Sequence, residues 1–315
     1  MTMSTKRPGR TGHAALRAVA AAWLVAFFLL SVGGVRLAAQ DQAPGGIQAG
    51  SHCLWRVQSE TTSVYLVGSV HLLKADNYPL SPAIEKAFRD SQRLVLELKL
   101  DDVNPQNQGT ILAKGKLDPG TTLEGIVSPK TYGMLRERVK QVGIPVQALD
   151  PFKPWVASLM LTTLKLKQLG YDPQYGVDQY FTRKAKQEGK EISGLETFEF
   201  QIDLFDHLSM TEQESLLLQT IGELDVMERE FNDLVKAWVN GDTVALEKIL
   251  LASFREFPEI YQRMVVDRNR AWAGAVEKML AGNEKTIVVV GAGHLVGKEG
   301  LVELLKAKGY AVEQQ

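Results

Sequence analysis

Two stretches of this chain run from a buried-strand pattern into Gly-x-x-His. One is Val64-Tyr65-Leu66-Val67-Gly68-Ser69-Val70-His71 and the other is Ile287-Val288-Val289-Val290-Gly291-Ala292-Gly293-His294. Polar groups just past the carboxyl ends of strands in an α/β sheet converge on a common crevice. Two imidazoles brought there suit a metal or an acid/base pair. The glycine three residues before each histidine permits a sharp strand exit and close backbone approach. A histidine at a strand end can equally be a core residue bonded to backbone.

Glu97 is the third chemical candidate. In Arg93-Leu94-Val95-Leu96-Glu97-Leu98-Lys99-Leu100 the leucines alternate on one face, and Glu97 shares the other with Val95 and Lys99. A carboxylate inside such a strand is costly unless it is paired, metal-bound or solvated. Its readings are a metal ligand, a general base, or an acid paired with Lys99 or an arginine. Glu196 ends a short strand pattern, and Asp178 follows Gly176-Val177; each could also be a helix first-turn acid. Arg268 and Arg270 flank Asn269, and either could clamp an anion or stabilise an oxyanion. His52 and His207 read as surface residues.

The elements that must position these groups are legible in outline. Leu54–Val57 and Val64–Val70 read as a hairpin. Ser81-Pro82 opens a capped helix to about Ser91, and Arg93–Leu100 is a strand. Ser128-Pro129 starts a helix ending near Gly143, and Pro154–Gln168 continues in helical spacing. Val177–Gln187 is a helix closed by Gly189, and Glu191–Leu195 is a short strand. Residues Thr211–Ala281 are almost entirely amphipathic helix, interrupted near Gly241-Asp242 and Pro258. The strand Thr286–Val290, a helix from Lys298 to Lys308 and a last strand from Tyr310 complete the chain. The expected fold class is α/β: a central sheet built from two related halves with a large helical insertion between them.

The 315 residues are 45% hydrophobic and 23% charged, an ordinary globular profile. Residues 1–39 read as a signal peptide, with basic residues before the apolar run 18–35 and small residues at Leu37-Ala38-Ala39; the alternative is an N-terminal anchor. Residues 40–52 are a linker, and 53–315 form one domain. Beyond residue 40 the chain carries 31 basic and 37 acidic residues. A net acidic body gives no footprint for nucleic acid. Membrane contact is expected only through residues 18–35, if uncleaved. Cys53 is the only cysteine, so no intrachain disulfide forms, and it reads as a small, part-buried thiol.

Strand, Gly-Ala-Gly-His-Leu-Val-Gly, then helix also looks like a dinucleotide-binding turn, with Glu313 about 20 residues on. No further β-α units follow to complete that fold. There is no His-Glu-x-x-His helix, no Gly-x-Ser-x-Gly elbow and no Gly-x-x-x-x-Gly-Lys loop.

Taken in order, Gly68-Ser69-Val70-His71, Glu97, Gly176-Val177-Asp178, Leu195-Glu196-Thr197, Arg268-Asn269 and Gly291-Ala292-Gly293-His294 resemble the TraB/GumN family, which includes PrgY-like and TIKI-like proteins. The resemblance covers about residues 53–313. It implies one α/β domain in which the two Gly-x-x-His motifs and the glutamate meet. TIKI members are metal-dependent proteases that act on Wnt proteins. The resemblance therefore implies an exported metal-dependent hydrolase, a peptidase acting on a peptide or protein. His71, His294, Glu97 and Glu196 would be ligands of Zn, Mn or Co, Glu97 would alternatively be the base, and Arg268 would stabilise the oxyanion. Two other classes stay open: a protein that sequesters a peptide or haem, and a metal-free esterase-type hydrolase with His71 or Glu97 as base.

Overall fold

A computed structural model describes residues 52–102, 109, 113–252, 254 and 257–315. The signal-peptide or anchor reading of residues 1–39, and nearly all of the proposed linker, lie outside these residues. Six strands form one mixed sheet: β1 (Leu54–Gln58), β2 (Ser63–Ser69), β3 (Arg93–Leu98), β4 (Glu191–Glu196), β5 (Thr286–Gly291) and β6 (Ala311–Gln314), in the order β4-β3-β5-β2-β1-β6. β2, β5, β3 and β4 run parallel, while β1 is antiparallel to β2 and β6.

The sheet places the two histidine motifs side by side. β2 pairs with β5 so that Gly68 lies opposite Val290 and Ser69 opposite Gly291. Both strands are buried from end to end, and Val64, Leu66, Val67 and Ile287 to Val290 are wholly covered. Continuous β-branched runs are what a parallel strand with both faces covered requires. Each such side chain contributes roughly 1.5–3 kcal/mol on burial. The chain therefore leaves β2 towards His71 and β5 towards His294 on one edge of the sheet.

Helices supply the rest of the fold: α1 (Pro82–Asp90), α2 (Leu123–Ile126), α3 (Pro129–Arg138), α4 (Pro154–Gln168), α5 (Val177–Glu188), α6 (Phe198–Asp206), α7 (Met210–Glu223), α8 (Met227–Val239), α9 (Thr243–Leu250), α10 (Pro258–Tyr261), α11 (Asp267–Leu280) and α12 (Leu301–Ala307). Their starts carry the expected caps. Ser81, Ser128, Thr197 and Ser209 accept a backbone N–H three residues on. Gly189 closes α5 with φ +66°, a left-handed conformation that favours glycine.

The helical stretch is less uniform than its spacing predicts. The short strand expected at Glu191–Leu195 lies ahead of that stretch and forms as β4, which joins the sheet edge beside β3. Between α10 and α11, Gln262–Val266 forms a π-helical turn directly ahead of Arg268. Such turns recur at functional sites because they re-aim the residues that follow. Among the described residues, no helix is long and apolar enough to cross a membrane. Cys53 is more enclosed than expected, at 1% exposure, and burial pushes its thiol up to about 12, which leaves it unreactive at neutral pH.

Candidate active site

Arg268 is the hub of the site. Its Nε donates to Glu196 Oε1 at 2.8 Å, and its Nη2 donates to Glu196 Oε2 at 2.9 Å and Glu97 Oε2 at 2.7 Å. Its Nη1 donates to the Met264 carbonyl at 3.0 Å and to His294 Nε2 at 3.0 Å. These bonds use all five N–H groups of a guanidinium. Glu97 Oε1 accepts the Gly291 backbone N–H at 2.6 Å, which ties the carboxylate to the end of β5. Gln201 adds a bond to Glu196 Oε2 at 3.0 Å. The guanidinium also lies 4.7 Å over the Trp272 ring, which in turn sits 4.4 Å from the His294 ring.

This network fixes the state of His294. Arginine has no acceptor, so Nε2 must accept and carry no proton. Nδ1 lies 2.7 Å from Asn269 Oδ1, and Asn269 uses its amide nitrogen to donate to the Glu299 carbonyl. The amide orientation is thereby set, and Nδ1–H is the donor. His294 is a neutral imidazole held from both sides by adjacent residues of α11. Burial, the Arg268 cation and His71 hold its titration well below the ordinary histidine value.

His71 has the opposite character. Its Nδ1 lies 2.5 Å from Asp178 Oδ2, and both side chains are nearly enclosed. Burial works against its charge, but Asp178, aided by Glu97, more than offsets this and raises its titration above the ordinary value. The Gly176-Val177-Asp178 motif builds this pair. A Cβ on Gly176 would overlap the His71 carbonyl oxygen, so only glycine lets the chain pass there. Val177 N–H then donates to the Val70 carbonyl at 3.2 Å, and Asp178 enters the first turn of α5. Gly68 has a parallel task. A Cβ there would overlap Cys53 Sγ and approach Ala292 Cα to 3.1 Å.

The residues nominated from sequence thus come together. His71, Glu97, Glu196, Arg268 and His294 share one enclosed cluster. Asp178 and Asn269, the weaker marks in the sequence, turn out to position the two histidines. Arg270 lies apart, 3.5 Å from Glu299 on the surface, and His207 is exposed, as expected. Glu97 takes the arginine-paired option rather than the Lys99 one.

As arranged, the expected ligand set does not fit a metal. Both oxygens of each carboxylate and the His294 Nε2 lone pair are engaged, four of these five atoms by a cation. Among the described residues, no group of three or more His, Cys, Asp or Glu is placed to hold one. Nor does the geometry give Arg268 the expected role at a substrate oxyanion, because every donor it has is committed inside the protein.

A groove of about 960 Å³ opens beside the cluster, with Glu196 and Arg268 on its wall and Phe200, Leu204, Ala271 and Trp272 as apolar lining. Phe200 is 45% exposed on this wall.

The chain is similar to several known proteins over most of its length. YbaP of Escherichia coli K12, described as uncharacterized, is 25% identical over 82% of this chain and 94% of its own. An uncharacterized protein of Treponema pallidum is 21% identical over 84% of this chain and 83% of its own. A sponge protein, the metalloprotease TIKI homolog of Amphimedon queenslandica, is 21% identical over 83% of this chain and 61% of its own. No solved structure matches. The sequence profile of the TraB/PrgY/gumN family matches residues 53–314, and the chain belongs to that family.

Proposed function

We propose that the chain is an exported hydrolase of ester or amide bonds whose general base is His71, oriented by Asp178. The observation that carries this reading is the 2.5 Å His71–Asp178 pair beside a neutral, doubly held His294. With Nδ1 committed to Asp178, proton transfer runs through Nε2. There His71 takes a proton from water, water attacks the substrate carbonyl, and the imidazolium returns the proton to the leaving group. Asp178 stabilises the imidazolium throughout. Arg268 pairs with both Glu97 and Glu196 and holds the cluster in place. The groove along Phe200 and Trp272 offers apolar surface to a substrate such as a peptide.

A metal-dependent peptidase is the second reading, favoured by the likeness to the sponge metalloprotease. Both readings are tested by incubating the protein with a peptide library and a panel of aryl esters, with and without exhaustive chelation. Turnover that survives chelation and is lost in His71→Gln supports the first reading. Turnover abolished by chelation and restored by Zn, Mn or Co supports the second. Turnover unaffected by His71→Gln would refute the assignment of His71.

A further inference from the structure

We propose that Tyr78 is a positioning residue for the His71–Asp178 pair, its phenol holding the backbone from which Asp178 reaches the imidazole. The inference rests on the reading of His71 as general base. It has a readout of its own in the His71–Asp178 hydrogen bond, which exists whether or not the chain hydrolyses anything.

The pair bridges two segments far apart in sequence, residues 70–78 after β2 and residues 172–178 leading into α5. Backbone contacts join them at both ends. Asp172 N–H donates to the Leu73 carbonyl at 2.9 Å, and Leu73 N–H returns a longer bond of 3.4 Å to the Asp172 carbonyl. At the other end Val177 N–H donates to the Val70 carbonyl at 3.2 Å. Between these points Gly176 passes against the His71 carbonyl with no room for a side chain. Gly176 is also the N-cap of α5, so no side chain caps the turn that carries Asp178.

Tyr78 supplies the missing hold. Its hydroxyl donates to the Tyr175 carbonyl at 2.6 Å, three residues before Asp178. Its ring lies 4.9 Å from that of Tyr180, two residues after Asp178. Tyr180 is itself fixed through its hydroxyl to Glu85 on α1. Tyr78 therefore grips the start of α5 on both sides of Asp178. It does so from the same segment that carries His71, so the two halves of the pair are tied to one another and not only to the rest of the fold. A His–carboxylate contact of 2.5 Å needs such support, because shifts of about half an ångström in a supporting shell are enough to loosen a constellation of this kind.

The test compares wild type, Tyr78→Phe and Tyr180→Phe. Tyr78→Phe removes only the hydroxyl and keeps the ring against Tyr180. Proton NMR follows the low-field resonance of His71 Nδ1–H, assigned with His71→Gln, and steady-state kinetics follow hydrolysis. In Tyr78→Phe the resonance should move or broaden, and kcat should fall about fivefold to tenfold, the size of one lost hydrogen bond, with KM little changed. Tyr180→Phe also loses a phenol bond, but the Tyr175 carbonyl stays held, so its resonance and kcat should match wild type. A folded Tyr78→Phe with an unmoved resonance overturns the inference. So does the same change in both variants, which would mark a general packing effect, and so does absence of the resonance from wild type, since there is then no short pair to position. If Tyr78→Phe fails to fold, Tyr78→Met, which also lacks the hydroxyl, takes its place in the comparison. A wild-type chain that shows the resonance but hydrolyses nothing would sink the reading of His71 as base, and the resonance alone would then decide the role of Tyr78.

Discussion

Replacing Gly176 with alanine should separate His71 from Asp178 without touching either side chain. The new Cβ would overlap the His71 carbonyl oxygen and lie 2.9 Å from its carbon and 3.0 Å from the Pro173 oxygen. All three contacts are with backbone, so the start of α5 must move away, and Asp178 sits two residues into that segment. Overpacking of this kind costs about 1–3 kcal/mol, or a melting temperature lower by several degrees in a domain of this size. The pH dependence is more diagnostic. Asp178 raises the titration of His71 above its unfolded value of 6.5. A histidine raised in this way adds stability that is fully present below the unfolded value and lost as pH rises through the folded one. Gly176→Ala should therefore cost more stability just below pH 6.5 than on the alkaline side, and His71 should titrate lower. Denaturant unfolding at several pH values and histidine NMR measure both. An equal loss of stability at every pH, with the titration of His71 unmoved, would show that Gly176 does not hold the pair together.

Three further predictions follow from the same geometry. Asn269→Ala removes the acceptor of His294 Nδ1–H and the donor to the Glu299 carbonyl, so it should destabilise by about 1–3 kcal/mol; an unchanged urea midpoint would contradict this. Burial pushes Glu223 from 4.5 up to about 8, and its Oε2 has no hydrogen-bond partner. Its neutral form gives stability that is complete below about 4.5 and lost as pH rises to about 8, so Glu223→Gln should stabilise by roughly 2–4 kcal/mol at pH 8 and hardly at all in acid. The same gain at both pH values would refute that account. Gly68→Ala should force β2 away from Cys53 and Ala292, lowering the melting temperature by several degrees; a Cys53→Ala partner change should recover part of the loss.

The parts of the site that are local in sequence are the parts that could be read from it. The Gly-x-x-His exits, the acid inside the Arg93–Leu98 strand and the caps at Ser81 and Ser128 each depend on a few neighbouring residues. The adjacency of β2 and β5 is tertiary, yet their matching burial patterns foreshadow it. The role of Arg268 was hidden because its partners lie 171, 72 and 26 residues away. Residue types alone list the same histidines and carboxylates for a metal centre and for an arginine-centred network. What separates the two is which donor fills the middle. Asp178 looked like an ordinary first-turn acid because Gly176 acts through a close approach to His71 that no spacing rule contains. The break in the long helical stretch at the π turn was marked only by Pro258, a few residues upstream.

The central claim is that the two histidines are chemically unlike: His71 a base held by Asp178, His294 a neutral group locked by Arg268 and Asn269. Imidazole nitrogen NMR on the protein, followed from acid to alkaline pH and assigned with His71→Gln and His294→Gln, tests this most directly. The account predicts that His71 titrates above the ordinary histidine value and that His294 stays neutral down into acid, with its proton on Nδ1. A His294 that titrates normally or carries its proton on Nε2, or a His71 that titrates below the ordinary value, would contradict it.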